Sequence, residues 1–110
     1  MDLPLITVDT WGELSIFRTP DQVSHWLEAQ DVRDGEFRIF DCAGVEYLLS
    51  ADTDSSPVVV GPAVGEHWEL VRELALRYLE RLPSHRRNEP TDLELLTPKD
   101  VSRALARYGR

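Results

Sequence analysis

The sequence predicts an α+β domain: an antiparallel sheet of about five strands, in the order ββαβββα followed by a last α, with the helices packed on one face. Three observations carry this prediction. Short runs of Ile, Val, Phe and Leu alternate with turn residues up to Pro62. Two Thr-Pro pairs, at Thr19-Pro20 and Thr97-Pro98, each open a segment with helical spacing of apolar residues. A long amphipathic stretch separates them, from about Glu66 to Leu82.

The first hairpin pairs Leu3 to Val8 with Glu13 to Phe17 around Asp9-Thr10-Trp11-Gly12. Pro4 suits an edge strand or a strand's first residue, where a missing donor costs least. Trp11 is expected to fold back onto the core, because an indole removes so much area from water. Helix one starts at Thr19-Pro20-Asp21-Gln22, with a Thr cap, Pro at the first helical position and Gln three residues after the cap. Val23, Trp26 and Leu27 then share one face, and the helix ends between Gln30 and Asp34.

Gly35 to Pro62 reads as three consecutive strands: Glu36 to Asp41, Val45 to Ser50, and the triplet Val58, Val59 and Val60. Asp41-Cys42-Ala43-Gly44 supplies the first turn, with Gly44 free to take a positive φ. The acidic loop Ala51 to Ser56 fails as a calcium site, because an EF-hand loop begun at Asp52 meets Pro57 where it needs Gly and Ala63 where it needs Glu. It reads as a solvated hairpin loop. Pro62 is expected to close the third strand.

Helix two, Glu66 to Leu82, presents Trp68, Val71, Ala75, Tyr78 and Leu79 on one face and an i,i+4 pair, Glu73 with Arg77, on the other. Residues 83–91 read as a polar linker. Asp92 to Leu96 is either a short edge strand or the lead-in to helix three, which runs from Thr97-Pro98 to Gly109 with Val101, Ala104, Leu105 and Tyr108 as its stripe. The nonapeptides TPDQVSHWL (19–27) and TPKDVSRAL (97–105) match at five positions. Shared capping chemistry explains the match without a duplication.

A chain of 110 residues with 42% apolar and 29% charged residues is one domain, 1–110, with a core of its own. Cys42 is the single cysteine, which excludes an internal disulfide and any thiolate metal cluster. The opening residues do not resemble a signal peptide, and no segment approaches the ~20 apolar residues of a membrane span. The expected localisation is cytoplasmic, with no membrane partner. The formal net charge of −8 argues against a nucleic-acid surface. Residues 1–69 carry 14 acids against three arginines, while residues 70–110 carry six acids against nine basic residues. One pole is therefore acidic, and it serves either solubility or recognition of a basic partner.

Catalytic motifs are missing throughout. There is no GxSxG elbow, HxxxH, CxxC or glycine-rich phosphate loop, and an isolated carboxylate pair such as Asp41 with Glu46 is expected by chance among twenty acids. The chain therefore reads as non-catalytic, with no cofactor and no metal.

In size, acidity, lone cysteine and element order, the chain resembles the small immunity proteins of bacterial polymorphic toxin and contact-dependent inhibition systems. The resemblance spans most of the chain, as architecture and charge. It implies stoichiometric inhibition by occlusion, with Asp31, Asp34, Glu36, Glu46, Asp52 and Asp54 meeting the cationic cleft of a basic protein partner. The rival readings are a homo-oligomeric module, such as a homodimer joined through exposed Trp11 or Trp68, and a small enzyme whose residues converge only in the fold.

Overall fold

The computed structural model describes residues 1–82 and 95–110. Five strands, β1 (Leu5–Asp9), β2 (Leu14–Phe17), β3 (Phe37–Phe40), β4 (Val45–Ser50) and β5 (Val59–Glu66), form one antiparallel sheet in the order β2-β1-β3-β4-β5. Around it lie α1 (Pro20–Trp26), α2 (Ala29–Arg33), α3 (Trp68–Arg81) and α4 (Pro98–Leu105), the last running into a 3-10 turn at Ala106–Tyr108. The fold is thus α+β with a five-stranded antiparallel sheet. Positions 83–91, expected as a linker, and 92–94, part of the segment expected as an edge strand or the lead-in to the last helix, lie outside the described residues. Leu95 and Leu96 belong to no strand, and Leu95 is buried in the core.

The helices do not share one face. Ile6, Ile16 and Phe40 point toward α3 and α4, where they pack with Val71, Ala75 and Leu105. Their chain neighbours Leu5, Phe17 and Ile39 point the other way and pack with Val23, Ala29 and Val32 of α1 and α2. Adjacent strand residues face opposite sides, so the dipeptides Leu5-Ile6, Ile16-Phe17 and Ile39-Phe40 demand cover on both. Apolar runs of this kind, rather than strict alternation, are the mark of a sheet buried on two faces.

The expected first helix is broken in two. Leu27 and Glu28 are extended, with ψ of 136° and 135°, and separate α1 from α2. A continuous helix carrying Val23 and Leu27 on the sheet would bring Gln30 and Asp34 there next and turn Val32 to solvent. The break resets the phase, so that Ala29 and Val32 are buried instead. Trp26, expected on the sheet face, is half exposed and lies under the Arg110 guanidinium, 4.5 Å from the ring centre.

Strand β5 also differs from expectation, since it runs through Pro62 to Glu66. It is the edge strand, where a missing N–H is tolerated, and its pairing with β4 shifts register twice between Glu46 and Leu49. Helix α3 starts only after it, at Trp68. The turn before β4 is set by Gly44, at φ 88°, where an added Cβ would come within 2.5 Å of the Trp68 backbone. No other residue type fits beneath the start of α3.

Candidate functional site

Antiparallel pairing gathers three connections at one end of the sheet. Asp9 closes β1 opposite Phe37, the first residue of β3, so the β1–β2 turn and the α2–β3 junction are neighbours. β4 runs back along β3 toward the same end, which brings the loop Ala51–Val58 there as well. That end carries Asp9, Asp31, Asp34, Glu36, Asp52 and Asp54.

Three of the expected partner-binding residues crowd together. The Glu36 N–H donates to the Asp31 carbonyl at 3.1 Å, and left-handed Gly35, at φ 75°, folds the chain tightly between them. Partial burial pushes the Glu36 carboxyl up from its ordinary 4.5, and the carboxylates of Asp31, Asp34 and Asp9 push it further. Asp9 was not among the expected residues, and the β1–β3 pairing that delivers it is invisible to local spacing. Asp52 is exposed. Asp54 is tied to Arg33 at 2.6 Å, an exposed pair that joins the loop to α2.

The structure does not bring Glu46 to this group. It stands on the α3 side of β4, where Arg38 clamps it with Nη2 at 2.8 Å and Nε at 2.9 Å, while His67 Nε2 lies 3.2 Å away. The Arg38 hydrogen bonds hold the Glu46 carboxyl below its ordinary range. A fork-to-fork pair of this kind leaves the carboxylate little capacity for a partner.

Trp11 is 90% exposed, contrary to the expectation that it folds onto the core. The turn explains it. Asp9 Oδ1 accepts the N–H groups of Trp11 and Glu13, each at 2.9 Å, the Asp9 carbonyl accepts from Gly12, and Gly12 is left-handed at φ 82°. The backbone at the tip is braced by Asp9, and the indole projects from it.

Asp41 and Cys42 are engaged in contacts that hold the fold. Asp41 is buried, with Oδ1 accepting from the N–H of Ala43 and Val45 and Oδ2 from the Asp2 N–H and the Tyr47 hydroxyl. It faces away from Glu46, so the two form no acid–base pair. Burial pushes the Cys42 thiol up to about 12, with Asp41 and Asp2 adding to the effect, and the thiol donates to the Pro4 carbonyl. A thiol so placed is not a nucleophile at neutral pH. His25 on α1 and His67 before α3 lie on opposite sides of the sheet, and His85 falls outside the described residues. Among the described residues no group of three His, Cys, Asp or Glu side chains is placed to hold a metal ion, and no helix is long and apolar enough to cross a membrane.

What the end of the sheet can do is present carboxylates, and one exposed indole on a braced turn, to a cationic surface. Comparisons with protein-family models, with curated proteins and with solved structures find no match to this chain.

Proposed function

We propose that this is a non-catalytic protein-binding domain whose acidic end docks a basic partner, acting as a stoichiometric inhibitor in the manner of a cytoplasmic immunity protein. The observation that carries this reading is the crowding of Asp9, Asp31, Asp34 and Glu36. Like charges held together weaken the free fold, and a cationic partner relieves that repulsion on binding. Trp11 beside them supplies the kind of aromatic anchor on which interfaces concentrate their energy.

The test is capture from the native cytoplasm at low salt, release at about 0.5 M salt where exposed charges are screened, and calorimetry with the purified partner. Asp31→Lys with Glu36→Lys should weaken binding at least tenfold, whereas Glu69→Lys in the first turn of α3 should leave it within about twofold. If the chain returns alone, or if both variants bind alike, the reading is wrong. The exposure of Trp11 also suits a homo-oligomer, which light scattering distinguishes. Both sheet edges speak against strand-to-strand assembly: Arg110 bonds its N–H to Ile16 and its carbonyl to Arg18 along β2, and Pro62 interrupts β5.

A further inference from the structure

Helix α3 and the 3-10 turn leave an open groove against β2. It comprises two adjoining stretches, of about 640 and 420 Å³, that share Glu13, Leu14 and Tyr78 in their walls. Tyr78 and Tyr108 stack edge to face in its middle, with ring centres 5.8 Å apart. Trp11 and Leu74 wall the stretch nearer the hairpin.

Its charge is opposite to that of the acidic end. Arg77 and Arg81 line one stretch, Arg107 and Arg110 the other, and Glu13 is the carboxylate they share. Arg77 is neutralised by Glu73, and the Arg110 guanidinium is engaged over Trp26. Arg81 and Arg107 are exposed and have no carboxylate partner among the described residues. In a chain with 20 acids against 12 basic residues, two uncompensated arginines flanking one aromatic groove mark a site for anions.

We propose that this groove binds an acidic peptide segment, with Arg81 and Arg107 taking carboxylates at its two ends and Tyr78 and Tyr108 packing an apolar side chain between them. A peptide fits better than a nucleic-acid strand. The groove offers separate guanidinium groups on its two stretches rather than the continuous basic track that a polyphosphate backbone requires. The groove differs from the acidic end in charge and takes a ligand of opposite sign, and the two surfaces meet at Trp11 on the β1–β2 turn.

The test is fluorescence anisotropy of a labelled acetyl-Asp-Glu-Phe-Glu-Asp-amide titrated with the full chain at low salt. Saturable binding should be weakened at least tenfold by Arg107→Glu and at least threefold by Arg81→Gln, and unchanged by Arg33→Glu on the far side of the sheet. Both groove positions are exposed, and circular dichroism confirms that each variant is folded. The proposal is overturned if no saturation is reached at about 1 mM chain, if the groove variants bind like the parent, or if a lysine-for-acid version of the peptide or a short oligo(dT) binds as well.

Discussion

Helices α1 and α4 grow from nonapeptides that match at five of nine positions, and the structure uses them on opposite faces of one sheet. Val23 and Val101 occupy the same position in them and are both fully buried. Ser24 donates its hydroxyl to the Val58 carbonyl, and Ser102 donates to the Leu3 carbonyl at 2.6 Å. The caps diverge. At α4 the Thr97 hydroxyl accepts from the Asp100 N–H at 3.3 Å, while Asp100 Oδ2 accepts from Leu96 and Thr97 at 3.0 Å each, closing a capping box. At α1 the Thr19 side chain caps nothing, and the Gln22 N–H reaches only the Thr19 carbonyl, at 3.2 Å. The third helical position differs between the two: the Asp100 carboxylate bonds back to the cap residue's N–H, and Gln22 does not. Pattern places a helix; the residue inside the pattern decides how firmly it starts.

The largest contrast between the helices should come from their final leucines. Leu105 is fully buried and Leu27 only partly so. Leu105→Ala should cost about 3 kcal/mol and Leu27→Ala about 1 kcal/mol, read from urea midpoints at unchanged m-value. Equal losses would show that the two faces are packed alike. The caps come next: Thr97→Ala should cost about 1 kcal/mol and Thr19→Ala at most about 0.3 kcal/mol by the same measurement. Gln22→Asp sharpens the point, since it rebuilds the missing box and should raise the midpoint.

The smallest effect is a pH dependence with two opposing signs. The backbone N–H groups of Leu96 and Thr97 hold the Asp100 carboxyl below its ordinary 3.8. Its contribution is therefore present above that value and lost as pH falls below it. Glu36 is raised above its ordinary 4.5, so the folded state binds its proton more tightly and stability falls as pH rises through the interval just above 4.5. Thermal melts of Asp100→Asn should show a smaller acid-side decline, the part due to the Arg38-bound Glu46 remaining, while melts of Glu36→Gln should lose the decline just above 4.5. A parent curve flat across both intervals would contradict both assignments.

The strands, the two Thr-Pro helix starts and the antiparallel sheet were legible because turn residues and apolar runs are local signals. Two-sided cover was also written locally, in Leu5-Ile6, Ile16-Phe17 and Ile39-Phe40, but it requires treating adjacent apolar residues as two faces rather than one strong strand. The break at Leu27 was not legible from helix periodicity, because it serves Ala29 and Val32, whose contacts are with strand residues distant in sequence, such as Leu5. At the candidate site, Asp31, Asp34 and Glu36 were findable from their closeness in sequence. Asp9 and the Arg38 clamp on Glu46 depend on strand pairing, which spacing along the chain does not reveal. Trp11 failed because area favours burial only where the backbone permits it, and the Asp9 brace directs the indole outward.

The buried Asp41 carboxylate acquires a further meaning from the doubly covered sheet. In a strand with one apolar side, slipping by a residue throws the core into water and is forbidden by that alone. Here a slip that exchanges Leu5 for Ile6, or Ile39 for Phe40, keeps an apolar residue at those buried positions, so that penalty is weaker. Alignment must then be keyed by polar groups that cannot be traded. Asp41, receiving the Asp2 N–H, and Cys42, bonded through its N–H to the Asp2 carbonyl and through its thiol to the Pro4 carbonyl, form that key. They lock the first strand against the third at a single offset.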